Sequence, residues 1–133
     1  MNNSILLEEL NSENLRNRVN NILLILKNEI IKIKKGEIRN TPTKKGTNNL
    51  KSLTDDFQEL VQKCRRASMK SYPKDVLELC NRVEMEWRKI IYPAIKEYNS
   101  EVDEYNKTHS PKLEKIEIRT GTFVTEEINY FPY

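Results

Sequence analysis

The side chains able to do chemistry in this chain are few and scattered. His109 is its only histidine. A nucleophile–histidine–acid site would need that ring in a cleft, opposite a serine or cysteine. Its flanks, Lys107, Thr108, Ser110 and Pro111, read instead as an exposed loop. No second histidine is present to share a metal, so an inert His109 is expected. Cys64 and Cys80 lack the CxxC spacing of a zinc set. Both fall on an apolar helical stripe, where a thiol behaves as a small buried hydrophobe. Their placement allows contact, with a disulfide under oxidation as the minor alternative.

Carboxylates are spread along the third helical segment: Glu78, Glu84, Glu86, Glu97, Glu101, Asp103 and Glu104. Helical metal or pyrophosphatase sites need inward acids on two facing helices. Glu97, Glu101 and Glu104 share a face, but no facing set appears elsewhere, so a solvated face is expected. No P-loop, dinucleotide fingerprint or nucleophile elbow occurs, and three glycines could hardly build one. The expectation is a protein with no catalytic residue, no cofactor and no metal.

Positive charge is concentrated rather than diffuse. Residues 32–46 hold six bases (Lys32, Lys34, Lys35, Arg39, Lys44, Lys45) against one acid, Glu37, for +5. The whole chain carries +3, so the remainder sums to −2. A second cluster comprises Lys63, Arg65, Arg66, Lys70 and Lys74. Arg65-Arg66-Ala67-Ser68 also fits a basophilic kinase site, a match too short to be specific. Along a helix the clusters lie about 35 Å apart. Only Tyr72 offers an aromatic ring nearby, so base stacking of the single-strand kind is unsupported. The 32–46 stretch reads first as a solvated connection whose lysines cap a helix, and second as a phosphate grip.

The elements that position these residues are mainly helical. Leu15, Val19, Ile22, Leu23, Leu26, Ile30 and Ile33 recur at three- and four-residue steps, and Gly36 follows them, which predicts a helix over 13–35. Leu24, Ile25 and Ile31 widen its stripe and suggest contacts on more than one side. Residues 1–12, with Ile5, Leu6, Leu7 and Leu10, form an arm or a short helix. After the 36–48 connection, Leu50, Leu53, Phe57, Leu60, Cys64 and Ala67 make a heptad stripe, and a helix is expected over 48–70. Pro73 then starts a long helix over 73–107, kinked near Pro93, with the stripe Val76, Cys80, Val83, Trp87, Ile90, Ala94, Tyr98, Val102 and Tyr105. Ile116 and Ile118 alternate with Glu117 and Arg119, predicting a β-hairpin over 112–129 around Thr120-Gly121. An aromatic tail, residues 130–133, ends the sequence.

If the second and third helices fold back about Tyr72, facing residues have numbers summing to about 144. That pairs Cys64 with Cys80, Val61 with Val83, Phe57 with Trp87, Leu53 with Ile91 and Leu50 with Ala94. Every pair is apolar or cysteine, which supports a long helical hairpin. The third helix overhangs the second by roughly 15 Å. Its Tyr98, Val102 and Tyr105 then need a cover from the C-terminal hairpin, the N-terminal arm or another molecule.

The chain therefore reads as one domain, residues 1–133, mainly α: an antiparallel three-helix bundle with a small C-terminal β-hairpin. With 37% apolar and 32% charged residues, a thin-cored bundle suits it better than a sandwich. No apolar run reaches bilayer length, so no membrane partner is expected. Glu8 and Glu9 interrupt any signal-like stretch, which points to the cytoplasm and free thiols. Abundant Asn, Lys and Ile resemble AT-rich coding, as in many phages and low-GC bacteria. The function expected is non-catalytic binding of a protein partner, as an adaptor or an inhibitor of phage type. The overhanging Tyr98, Val102 and Tyr105 form one candidate surface, and Tyr130, Phe131 and Tyr133 a second, because aromatic residues dominate hot spots. The competing reading packs these two groups on each other. Self-association through the heptad stripe is a further expectation, and nucleic-acid binding through the two basic clusters is the alternative function.

Overall fold

The computed structural model describes residues 10–36, 46–67, 72–110 and 112–124. Helix α1 spans Ser12–Lys34. Asn11 caps it: its side chain accepts a hydrogen bond from the Asn14 amide at 2.9 Å. At the other end the Gly36 amide bonds to the Ile33 carbonyl, and Gly36 takes a φ of +67°, the left-handed turn that favours glycine. Leu15, Val19, Ile22, Leu26, Ile30 and Ile33 are buried along one stripe. The expected wider stripe is only partly realised. Ile25 packs against the core, but Leu24 and Ile31 are 60% and 49% exposed.

Helix α2 spans Gly46–Ala67 and α3 spans Lys74–Glu86. A π-helical turn, Trp87–Ile91, joins α3 to α4, Tyr92–Thr108, without a break. Proline 93 explains the irregularity. It has no amide hydrogen, and in a regular helix its ring would press on the carbonyl four residues back. A π turn loosens that spacing, and the Tyr92 amide accordingly reaches the Trp87 carbonyl. The wider turn also moves the apolar stripe. The sequence placed Ile90 and Ala94 on it, whereas Ile91 and Ile95 are fully buried and Ile90 faces outward at 38% exposure. From Trp87 the buried stripe continues through Ile91, Ile95, Tyr98, Val102 and Tyr105.

The helices pack as an up-down-up bundle. α2 runs against α3: Phe57 stacks on Trp87 with centroids 6.3 Å apart, and Arg65 reaches Glu84. The register inferred about Tyr72 therefore holds at its central pair, and at the turn end the buried Cys64 and Cys80 thiols are close enough to perturb each other. α1 lies parallel to the third rod. Ser12 accepts a hydrogen bond from Arg82 at 3.0 Å, and Lys34 sits 3.8 Å from Glu101 at the other end. Its principal contact is with α4. No helix among the described residues is long and apolar enough to cross a membrane.

The C-terminal segment corrects the sequence reading. Residues 112–124 form neither helix nor strand among the described residues. The chain does turn where expected: the Thr122 amide bonds to the Arg119 carbonyl, with Gly121 at φ +89° as a type II turn requires at that position. Among the described residues, no second limb pairs with Ile116 and Ile118. The segment instead lies as a strap across α2 and α4, and helix side chains satisfy its backbone. Residues 125–129 of the expected hairpin and the aromatic tail lie outside the described residues.

Candidate functional site

Two asparagines on α4 hold the strap. Asn99 and Asn106 are seven residues apart, about 10.5 Å along a helix. Leu113 and Ile116 are three apart, about 10 Å along an extended chain. The two repeats therefore match. The Asn106 carboxamide accepts from the Leu113 amide at 2.8 Å and donates to its carbonyl at 3.0 Å. Asn99 does the same for Ile116, at 2.8 and 2.9 Å. A carboxamide carries a donor and an acceptor side by side, like a peptide group, so each asparagine substitutes for one residue of a missing β-strand.

Gln58 of α2 continues the ladder from the opposite wall. Its amide donates to the Glu117 carbonyl at 3.0 Å, and its oxygen accepts from the Arg119 amide at 2.6 Å and the Thr122 hydroxyl at 2.9 Å. Both Gln58 and Thr122 are buried, and these mutual bonds remove the cost of burying them. Beyond it, Gln62 donates to the Thr120 carbonyl, and the Trp87 indole donates to the Thr122 carbonyl at 2.7 Å. Ile116 supplies a buried apolar peg, whereas Phe123 projects outward at 56% exposure.

Arg65 closes the far end. Its Nη1 donates to the carbonyls of Gly121 and Phe123 at 2.9 and 3.2 Å. Its Nε and Nη2 grip Glu84 in a bidentate pair at 2.9 and 2.7 Å, and Arg88 adds a third bond at 2.7 Å. Burial pushes the Glu84 carboxyl upward, but the hydrogen bonds from Arg65 and Arg88 outweigh it and hold the group below the usual carboxylate range. Weaker ion pairs flank the strap, Lys115–Asp103 at 3.2 Å and Arg119–Asp55 at 3.1 Å. A cleft of about 820 Å³ opens between the strap and the first half of α2, lined by Lys51, Asp55, Gln58, Glu114, Lys115 and Glu117 among others. Its charges are mixed, and its lining contains neither histidine nor cysteine. Among the described residues, no group of three or more His, Cys, Asp or Glu is placed to hold a metal ion.

The residues singled out from sequence fall elsewhere. Tyr98, Val102 and Tyr105 are buried, at 3%, 0% and 6% exposure, and so form no open surface. Helix α1 packs along α4, with Glu29 of α1 near the Tyr98 hydroxyl. Burial, with Glu29 nearby, pushes the Tyr98 hydroxyl up to about 12. Tyr130, Phe131 and Tyr133 lie outside the described residues. In the first basic cluster, Lys32 pairs with Glu29 at 3.3 Å and Lys34 with Glu101, while Lys35 is exposed. Arg39, Lys44 and Lys45 lie outside the described residues, as does Lys70. Arg65 is committed to Glu84 and the strap; Arg66 and Lys74 are exposed and Lys63 half-buried. His109 is exposed, its ring stacked on Tyr105 with centroids 4.1 Å apart. Cys64 and Cys80 are buried free thiols. Burial first, and then the hydrogen bond with Cys80, push the Cys64 thiol far above its ordinary range.

Sequence reasoning missed the carboxamide ladder, although one signal pointed to it. The dipeptide Tyr-Asn recurs seven residues apart, at Tyr98-Asn99 and Tyr105-Asn106. In each, a core aromatic is followed by an amide at the edge of the buried face. No family model, curated protein or solved structure matches the chain.

Proposed function

We propose that this chain is a non-catalytic protein-binding module, of adaptor or inhibitor type, and that its binding side is the face crossed by the strap. The observation that supports the reading is the carboxamide ladder. A face that grips a polypeptide through its main chain, with Gln58, Asn99 and Asn106 acting as strand surrogates, has the chemistry of β-augmentation without a sheet. Phe123 adds an exposed aromatic side chain on that face, of the type that anchors interfaces. Tyr130, Phe131 and Tyr133 follow it in sequence and are assigned to the same role.

Nucleic-acid binding through Lys32, Lys34, Lys35, Arg39, Lys44 and Lys45, with Lys63, Arg65, Arg66 and Lys70, is the weaker reading. Arg65 is neutralised by Glu84, and Lys32 and Lys34 already face carboxylates. Affinity capture from the source organism, with nuclease and at two salt concentrations, separates the two. A protein partner should survive both treatments and be lost with Phe123→Ala. Release by nuclease, or steep weakening with salt, would instead establish the phosphate contact.

A further inference from the structure

We propose that the 112–124 strap exchanges between molecules, so that the groove of Gln58, Asn99 and Asn106 receives the same segment of a second copy of this chain. The proposal rests on the reading of the strap face as a polypeptide receptor and names the polypeptide. Three observations carry it. The groove recognises main-chain groups at Leu113, Ile116, Glu117 and Arg119, and these bonds form equally well whichever molecule supplies the segment. A second copy brings the one sequence whose side chains fit, with Ile116 buried and the Thr122 hydroxyl on Gln58.

The strap is held to the helices through side chains. Among the described residues its only backbone-to-backbone hydrogen bond closes its own 119–122 turn, so no helix or strand ladder has to be rebuilt when another copy supplies it. The joint is short. α4 ends at Thr108 and the first gripped residue is Leu113, four residues further on in sequence from His109. His109 is already extended, at φ −125° and ψ 151°, and the following Ser110-Pro111 bars continuation of the helix. Exchange keeps every strap–groove bond described above, which is what makes reciprocal swapping inexpensive.

The closed monomer competes through an effective concentration in the millimolar range, so the dimer is expected at protein concentrations approaching that level. Releasing a strap breaks the whole ladder at once, so a dimer once formed should dissociate slowly. The test uses the full-length chain. Two forms carrying different tags are mixed, concentrated to roughly 1 mM, diluted and sized by light scattering. In parallel, a fluorescent peptide of residues 112–124 is titrated into full-length Ile116→Ala, whose own strap has lost its peg. Circular dichroism checks that the variant keeps its helices, and Leu113→Ala replaces it if it does not.

The expected result is a mixed-tag dimer that outlasts dilution. The peptide should bind Ile116→Ala at least about tenfold more tightly than the wild type, because less cis competition remains. It should fail on Ile116→Ala/Asn99→Ala. A chain that stays monomeric throughout overturns the exchange. If the peptide binds while no dimer forms, the receptor reading stands and the second copy is the wrong occupant. If neither occurs, both readings fall. A dimer that forms without peptide binding uses another surface, and it too overturns the proposal.

Discussion

Replacing Asn99 tests the ladder one rung at a time. Asn99→Ala removes the bond to the Ile116 amide and the bond to its carbonyl, which measure 2.8 and 2.9 Å. At about 1 kcal/mol net for each, the strap loses about 2 kcal/mol at this rung. If the strap opens ahead of the bundle, the Ile116 amide should lose roughly thirty-fold in hydrogen-exchange protection, at 1.36 kcal/mol per decade. Asn99→Asp sharpens the test. Its carboxylate can still accept from the Ile116 amide, but it places a second oxygen against the Ile116 carbonyl, where the Asn99 amide donated. Protonation turns that oxygen into a donor. Protection at Ile116, corrected for intrinsic rates, should therefore rise in Asn99→Asp as pH falls towards about 4, and should not rise in Asn99→Ala. Exchange measured by NMR reads both. Unchanged protection in Asn99→Ala, to within about twofold, would refute the claim that the carboxamide holds the strap.

Three further outcomes follow from the same geometry. Ile91→Ala should cost about 2–5 kcal/mol by denaturant titration and Ile90→Ala less than about 1, because the π turn buries the first and exposes the second; equal costs would contradict the shifted stripe. The folded pKa of Glu84 is depressed below the ordinary 4.5, so its contribution to stability is complete above that value and is lost as pH falls through the folded pKa. Glu84→Gln should accordingly flatten the acid limb of the stability curve, and an unaltered limb would argue against the Arg65–Glu84–Arg88 cluster. Cys64 should resist alkylation at pH values where exposed thiols react and should label promptly after denaturation; rapid labelling of the folded chain would contradict its burial beside Cys80.

Much of the bundle was legible in the sequence, and the reason is physical. Leu50, Phe57, Leu60 and Cys64 recur with helical period, and the antiparallel register about Tyr72 follows from matching one stripe to another. Phe57 does meet Trp87. The phase beyond Trp87 was harder to read. Ile90-Ile91 and Ala94-Ile95 offer an apolar residue in either phase, and only the backbone adjustment before Pro93 decides between them. The overhang was misjudged because a stripe records that a face is buried and not what buries it. Tyr98, Val102 and Tyr105 are buried on the helix along which α1 packs.

The strap shows a different limit. Alternation at Ile116 and Ile118 suggested a strand, yet period two carries no information about the hydrogen-bonding partner. A strand was assumed to need a strand. Here the partners are side-chain amides on helices, whose seven-residue repeat on α4 matches three extended residues. Arg65 looked like a free phosphate ligand for a similar reason: its partner, Glu84, is 19 residues away in sequence and close only across the hairpin.

The central claim is that this face of the bundle receives an extended polypeptide through its main chain. It is tested most directly by titrating the 112–124 peptide into full-length Ile116→Ala and following fluorescence anisotropy. Saturable binding is expected, and it should disappear when Asn99 is also replaced by alanine. Binding that is indifferent to Asn99, or no binding by a chain whose helices remain intact, would contradict it.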